Sequence, residues 1–200
     1  LFGTSLGAAT TAAGTLPLPS PMANVSVQVN GIDASLFYVS ATQFNFQVPW
    51  QVLGQSQVTV AVNSRGLLSA AQTVRLDNTA PGIFTVNSSG SGQGVVQIAN
   101  TSIFAAPAGS ISGVTTRPAN RGDFLTIYCT GLGDVDNRPA NGAAAPSSPL
   151  ATAKLTPTVT IGGVPATVSF AGLTPSFVGL YQVNVQVPAT ALTGNSVELV

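Results

Sequence analysis

Apolar and polar residues alternate in short segments along most of the chain. Five segments are rich in β-branched or aromatic side chains and are separated by Gly, Pro, Asn or Asp: residues 25–30, 35–39, 43–48, 57–62 and 67–76. Alternation with a period of two places successive side chains on opposite faces, as in a strand with one buried face. The best helical candidate, residues 140–145, lies between two prolines, which favours a loop. The chain is therefore predicted to be all-β.

One heptapeptide occurs twice in the sequence. Gln-Phe-Asn-Phe-Gln-Val-Pro at residues 43–49 returns as Gln-Val-Asn-Val-Gln-Val-Pro at residues 182–188, and each copy follows a strand and a glycine turn. In both copies the three apolar side chains share one face and the amide side chains share the other. A repeat so widely spaced is too long for a solenoid and is typical of tandem copies of one small β-domain. We therefore expect two tandem immunoglobulin-like β-sandwich domains.

Alignment of the two copies predicts the domain boundaries. Residues 1–7 (LFGTSLG) match residues 127–133 (IYCTGLG). This match places the first domain at residues 1–79 and the second at residues 119–200.

A segment rich in Gly and Ser, residues 80–118, connects the two predicted domains. Within it, residues 83–86 and 94–99 have strand character and flank a run of turn-forming residues at 87–93. We expect these two stretches to pair as a β-hairpin and the segment to pack against a neighbouring domain.

The alignment also predicts open sheet edges at both ends. The first copy has no counterpart of residues 121–126, and the second has no counterpart of residues 67–76. Unpaired edges are therefore expected near Leu1 and Phe2 and near Val197 and Leu199. Such an edge is a template for strand addition from another chain. The favoured interpretation of these edges is that the sequence is part of a longer polypeptide, and complementation by another chain is the alternative.

Several motifs carry a family resemblance that covers nearly the whole chain. They are TGLG at residues 130–133, VTIGG at 159–163, FAGL at 170–173, VGLYQVN at 178–184, Val187-Pro188, APGIF at 80–84 and Arg121-Gly122-Asp123. With this set the chain resembles the Solibacter-type uncharacterised C-terminal domain family. The resemblance implies a location at the C-terminal end of large secreted bacterial proteins, so an extracellular or cell-surface setting, and similarity to IPT/TIG immunoglobulin-like modules. It implies no catalytic residues.

The composition is poor in charge and the charges cancel. Charged residues make up 6% of the chain, with six basic and six acidic side chains, against about 25% in ordinary soluble domains. A neutral surface lacks the mutual repulsion that keeps proteins apart, so self-association is favoured. No basic patch is available to neutralise phosphates, so nucleic-acid binding is not expected. No apolar run approaches the length of a membrane helix, about 20 residues, so no membrane span is expected.

Residues suited to catalysis are scarce. The chain contains no His, one Lys, one Glu and five Asp residues, so the commonest general base and metal ligand is absent. The single Cys129 lies in an alternating strand segment and is interpreted as a small buried hydrophobic residue. We expect neither enzyme activity nor a cofactor.

Two acidic turn residues and one tripeptide have alternative interpretations. Asp134 and Asp136 present alternating oxygen atoms that could hold Ca²⁺. The following Arg138-Pro139 does not continue a calcium loop, so an ordinary polar turn is favoured and no metal is expected. Arg121-Gly122-Asp123 matches an integrin-recognition tripeptide, but Gly and Asp are also ordinary turn residues before a strand.

These observations leave two functional hypotheses. The favoured one is a non-catalytic structural or assembly module of an extracellular bacterial protein, such as a filament or surface-layer subunit, joined by strand complementation to itself or to neighbouring domains. The alternative is an adhesion or glycan-binding module that displays loops such as residues 140–150.

Overall fold

Strands and connecting turns make up nearly the whole structure. The computed structural model describes residues 1–200. Strands account for 39% of the residues, and the only helical element is a short 3₁₀ turn, Trp50–Val52. The prediction of an all-β chain is confirmed, and its several sheets fit a sandwich architecture.

The chain divides into two compact units. Unit 1 contains Leu1–Asn78, Arg138–Ser148 and Pro175–Gly179, and unit 2 contains Thr79–Asn137, Pro149–Thr174 and Leu180–Val200. The sequence pattern predicts continuous domains at 1–79 and 119–200 with a connecting segment at 80–118. The predicted boundaries differ from the units because the alignment detects only the repeated strands. The units also include loops that pack against those strands from elsewhere in the chain. That the units are tandem immunoglobulin-like domains stays a prediction.

Unit 1 consists of two antiparallel sheets. Its strands are β1 (Thr11–Ala12), β2 (Val25–Val29), β3 (Ile32–Asp33), β4 (Ser35–Val39), β5 (Phe44–Gln47), β6 (Gln57–Ser64), β7 (Leu67–Leu68) and β8 (Gln72–Arg75). One sheet has the order β1-β4-β5. The other has the order β3-β2-β6-β7, with β8 also paired to β6.

Alternating apolar side chains build the core of unit 1. Along β2 the three valines are buried, whereas the intervening Ser26 and Gln28 are half-buried. The side chains of Leu36 on β4 and Phe44 on β5 are fully buried in the same cluster. Burying a side chain of this size stabilises the fold by about 1.5–3 kcal/mol, so the period-two pattern decides which face of each strand turns inward.

Unit 2 contains one extended sheet. Its strands are β9 (Gly82–Ile83), β10 (Val96–Ile98), β11 (Phe104–Ala105), β12 (Thr116–Arg117), β13 (Phe124–Thr130), β14 (Val159–Ile161), β15 (Val164–Leu173) and β16 (Tyr181–Gln186). They follow the order β12-β11-β10-β13-β16-β15-β14, and β9 also pairs with β13. The residues that the sequence predicts as a connecting segment thus supply β9 to β12 of this sheet.

The predicted hairpin within residues 80–118 is present. Thr85 and Gly94 form an antiparallel bridge. The Val86 N–H donates to the Gln93 carbonyl at 2.9 Å, and the Val95 N–H donates to a carbonyl of the facing stretch at 2.7 Å. Turn-forming residues between two apolar stretches were therefore sufficient to predict this hairpin.

The two copies of the repeated strand have the same neighbour in the same register. Phe2 faces Gln43 in an antiparallel bridge in unit 1. Tyr128 faces Gln182 in the antiparallel pairing of β13 with β16 in unit 2. The alignment makes Phe2 equivalent to Tyr128 and Gln43 equivalent to Gln182, so the sequence repeat corresponds to a repeat of strand pairing.

The same irregularity occurs on the other side of each repeated strand. The pairing of β4 with β5 shifts register between Leu36 and Tyr38. The pairing of β15 with β16 shifts between Val168 and Phe170, which are the equivalent positions. Bulges bend a strand and increase its twist, so both copies carry the same local distortion as well as the same register.

Candidate protein-docking edge

An apolar groove lies in unit 1 between the edges of its two sheets. Leu1, Phe2 and the outer side of β5 contribute one part of its lining, and β6 and β8 contribute another. The cavity has a volume of about 620 Å³, and every lining residue except Ser69 and Gln72 is apolar. We call this groove the apolar seam.

Large apolar side chains of the apolar seam remain open to solvent. Phe2 is 80% exposed, Val48 is 46% exposed and Val74 is 44% exposed. Each of these side chains would be more stable if covered, because buried apolar surface contributes about 25 cal/mol per Å². Contiguous exposed apolar surface on a β-protein typically marks an interaction site.

The backbone beside the apolar seam is only partly paired. Leu1 and Phe44 exchange two hydrogen bonds, each of 2.9 Å, between their backbone groups. Beyond Phe44 no strand pairs with this edge of β5, which is the last strand of its sheet. Within residues 1–200, the backbone groups that Phe46 and Val48 direct away from β4 have no partner, and both side chains line the apolar seam.

The equivalent edge in unit 2 is fully covered. β13 pairs with β16 from Cys129 through Phe124. The cover continues beyond the strand, since the Gly122 N–H donates to the Val187 carbonyl at 2.9 Å and the Val187 N–H donates to the Asp123 carbonyl at 2.9 Å. Val187, which is equivalent to Val48, is only 7% exposed. The two copies of the repeat therefore differ at one edge.

The second pair of predicted edge residues lies beside β14. Leu199 forms an antiparallel bridge with Ile161, and Thr160 and Val200 exchange backbone hydrogen bonds of 2.8 and 3.1 Å. Val197 is 36% exposed. In unit 1 the counterpart of this stretch is β6, which pairs with β2 on one side and with β8 on the other. No strand occupies the outer side of residues 197–200.

The two aspartates considered for Ca²⁺ differ in their surroundings. The Asp134 carboxylate pairs with the Lys154 ammonium at 2.7 Å and accepts a hydrogen bond from the Val135 N–H at 2.8 Å. Asp136 is exposed. No group of three or more His, Cys, Asp or Glu side chains lies close enough together to hold a metal ion. Asp134 is thus paired with a lysine of the same unit.

The Arg121-Gly122-Asp123 tripeptide forms a structured turn before β13. The Asp123 carboxylate accepts the Asn120 N–H at 2.8 Å and pairs with the Arg117 guanidinium at 2.7 Å. The hydrogen bond from Arg117, followed by that from Asn120, lowers the pKa of Asp123. The Arg121 guanidinium donates to the Ala191 carbonyl at 2.7 and 3.0 Å. Both charged groups of the tripeptide therefore have partners within unit 2.

The loop proposed for ligand display is held by side chains of unit 1. The Asn141 side chain accepts the Trp50 N–H at 3.0 Å and donates to the Gln51 side chain at 2.8 Å. The Gly142 N–H donates to the Gln47 Oε1 atom at 2.7 Å. These bonds fix the first half of the loop, which reduces its freedom to adapt to a ligand.

Cys129 lies on β13 with its thiol inside the structure. The residue is 3% exposed, and desolvation by burial raises the thiol pKa to about 11. A thiol of this kind is almost entirely protonated at neutral pH and is a poor nucleophile.

The sequence predicts edge residues at Leu1 and Phe2 but does not single out the other exposed side chains of the apolar seam. Val48 has the same residue type and position in the repeat as its covered equivalent Val187, so composition alone does not distinguish them.

The structure has no helix with the length and hydropathy required to cross a bilayer.

Comparisons with known proteins identify no relative of this chain. Searches against family models, curated proteins and solved structures find no match to this chain.

Proposed function

We propose that this chain is a non-catalytic structural module of an extracellular or cell-surface bacterial protein, and that it assembles with other protein chains through open sheet edges. The observation that carries the proposal is the contiguous exposed apolar surface of the apolar seam. Filaments and surface layers are the kinds of assembly that a module with open edges would support.

The charge distribution supports association. The chain has a formal net charge of zero, and no charged residue lines the apolar seam. Two such surfaces can therefore approach without repulsion and bury apolar area without desolvating a charge.

The non-catalytic part of the proposal rests on the residues that are available. The chain has no His, and its single Cys has a raised pKa. Among the aspartates, Asp123 and Asp134 each pair with a basic side chain. The extracellular setting rests on the resemblance to a family of secreted bacterial proteins.

Light scattering over a concentration series tests the proposal. The chain is expected to increase in mean mass as concentration rises, because contact between two copies covers exposed apolar surface of the apolar seam. A Phe2→Glu variant is expected to stay monomeric, since it places a charge at the mouth of the apolar seam. Phe2 is 80% exposed, so the change removes little buried surface and leaves the fold intact.

A matched control separates the apolar seam from general surface hydrophobicity. Leu155 of unit 2 is 62% exposed and does not line the apolar seam. Leu155→Glu is expected to associate like the unmodified chain. A monomeric mass at every concentration for the unmodified chain contradicts the proposed function.

A further inference from the structure

We propose that residues 138–148 form a clasp, a segment that leaves unit 2, packs into unit 1 and returns to unit 2, so that the two units unfold together. The segment belongs to unit 1, whereas Asn137 before it and Pro149 after it belong to unit 2. The clasp concerns the cooperativity of unfolding, which does not depend on the proposed assembly.

Gly142 of the clasp bonds to unit 1 through both of its backbone groups. Its N–H donates to the Gln47 Oε1 atom at 2.7 Å, and its carbonyl accepts the Leu18 N–H at 2.8 Å. Gln47 and Leu18 are both buried. Because a buried polar group that loses its partner is destabilising, unit 1 loses stability when the clasp leaves it.

No side chain fits at Gly142. The residue has φ of +75°, and a Cβ atom there would lie 2.8 Å from the Ser35 Oγ atom and 3.0 Å from the Leu18 carbonyl oxygen. Ordinary contact distances between carbon atoms are about 3.5–4 Å, so both separations are too short. Substitution of Gly142 therefore provides a way to open the clasp.

Residues beside Gly142 add further contacts within unit 1. The Asn141 side chain accepts the Trp50 N–H at 3.0 Å and donates to the Gln51 side chain at 2.8 Å. The Arg138 guanidinium lies 5.5 Å from the centroid of the Trp50 ring, within range of a cation–π interaction. The first part of the clasp is therefore anchored at three of its residues.

The second part of the clasp is bonded to another segment of the same kind. Pro175–Gly179 also belongs to unit 1 and is flanked on both sides by unit 2. The Ala145 N–H donates to the Phe177 carbonyl at 2.8 Å, and the Ala145 carbonyl accepts the Ser176 N–H at 2.9 Å. Two segments that return to unit 1 are therefore tied to each other within it.

The connection of the clasp to unit 2 links the stabilities of the two units. Folded unit 2 fixes both ends of the clasp, which reduces the conformational entropy that the clasp loses on ordering in unit 1. When unit 2 unfolds, the bond between Gln51 and Asn141 closes a flexible loop of about ninety residues, which costs more entropy. Unit 1 is therefore most stable while unit 2 is folded.

Two natural reporters allow the units of the intact chain to be followed separately. Trp50 is the only Trp and lies in unit 1, and Cys129 is the only Cys and lies buried in unit 2. Urea unfolding is followed by Trp fluorescence and by brief pulses of a thiol reagent, at a concentration where light scattering gives the monomer mass. The two urea midpoints are expected to coincide in the unmodified chain.

Two variants open the clasp in different ways. Gly142→Ala is expected to lower the Trp50 midpoint by about 1 M urea relative to the Cys129 midpoint, because overpacking displaces the clasp. Asn141→Ala removes two hydrogen bonds without adding volume. It is expected to separate the midpoints in the same direction, and it keeps the test decisive if Gly142→Ala does not fold.

Gly31→Ala is the matched control for a general loss of stability in unit 1. Gly31 lies in unit 1 with φ of +76°, and a Cβ atom there meets nothing within 4 Å. The variant is expected to lower both midpoints together, because its clasp stays closed. Hydrogen exchange of the β2 backbone amides shows whether a fluorescence change extends to the core of unit 1.

Each result either supports or overturns the clasp. Separated midpoints in the clasp variants, with coincident midpoints in the unmodified chain and in Gly31→Ala, support it. Separated midpoints in the unmodified chain overturn it, because the units then unfold independently while the clasp is closed. Coincident midpoints in every variant also overturn it, as does separation in Gly31→Ala or a fluorescence change that leaves the β2 amides protected.

Discussion

Val48 and Val187 directly follow the two copies of the repeated strand, yet Val48 is 46% exposed and Val187 is 7% exposed. The residues are identical and the registers around them are the same. The difference lies in the neighbouring backbone, since Gly122 and Asp123 hydrogen-bond to Val187 and nothing bonds to Val48. Exposure at this position therefore reports whether the adjacent edge of the sheet is covered.

Gly131→Ala is expected to destabilise the chain more than Gly163→Ala. Both glycines have φ of +77°, which costs an L-residue about 1–2 kcal/mol. A Cβ at Gly163 meets nothing within 4 Å, whereas one at Gly131 collides with the Ala80 carbonyl. Overpacking of this kind costs a further 1–3 kcal/mol or so. Urea unfolding midpoints of the two variants measure the difference, and equal midpoints would contradict the close approach at Gly131.

Gln47→Ala is expected to loosen the loop that contains Gly142. Gln47 is 8% exposed and its Oε1 atom accepts the Gly142 N–H. Leaving a buried donor unpaired costs about 1–3 kcal/mol, so urea stability falls and the Gly142 amide exchanges faster. Gln186 is the repeat-equivalent control, because its side chain is exposed. Gln186→Ala is expected to change stability by less than about 0.5 kcal/mol, and an equal loss in both variants would argue against the bond.

Asp123 is expected to contribute to acid sensitivity. Its pKa is lowered in the folded chain, chiefly by the hydrogen bond from Arg117. The unfolded chain therefore binds the proton more readily. The stabilisation is present above the unfolded pKa of about 3.9 and is lost as pH falls through the lower folded value.

Stability measured between neutral and strongly acidic pH checks this expectation. Asp123→Asn is expected to lower stability at neutral pH and to have little effect at low pH, because the protonated carboxyl no longer pairs with Arg117. Asp33→Asn is the control, since the Asp33 carboxylate accepts one exposed hydrogen bond from Gln28 at 3.2 Å. A constant difference between the unmodified chain and Asp123→Asn across the pH range would contradict the proposed linkage.

Cys129 is expected to react with thiol reagents only when unit 2 opens. The thiol is buried and its pKa is about 11, so both access and ionisation are unfavourable in the folded chain. Labelling by iodoacetamide followed by mass spectrometry should be slow in buffer and rapid above the urea midpoint. Rapid labelling of the folded chain would show that β13 opens locally.

Local patterns determined much of the secondary structure. The valines of β2 are buried at alternate positions as their spacing predicts, and the hairpin joining Thr85 and Gly94 forms around predicted turn residues. These features depend on neighbours close in sequence, so period and turn chemistry are enough to identify them.

The apolar seam and the assignment of loops to the two units could not be predicted from local sequence patterns. Residues 138–148 belong to unit 1 because Asn141 and Gly142 form hydrogen bonds with the Trp50 backbone and with the side chains of Gln47 and Gln51, about ninety positions earlier in the chain. Likewise, nothing in the residues around Val48 indicates that its edge is uncovered. Such contacts join segments distant in sequence, and no local periodicity records them.

The sequence by itself determined that this chain is all-β, that one strand motif is duplicated, and that the chain contains no His. Only the tertiary structure decided that equivalent strands have the same partners and bulges, and that Val48 lines an exposed apolar seam whereas its equivalent Val187 is buried. The physical reason is that alternation sets which face of a strand is buried, whereas hydrogen-bonded edges are completed by segments far away in the chain.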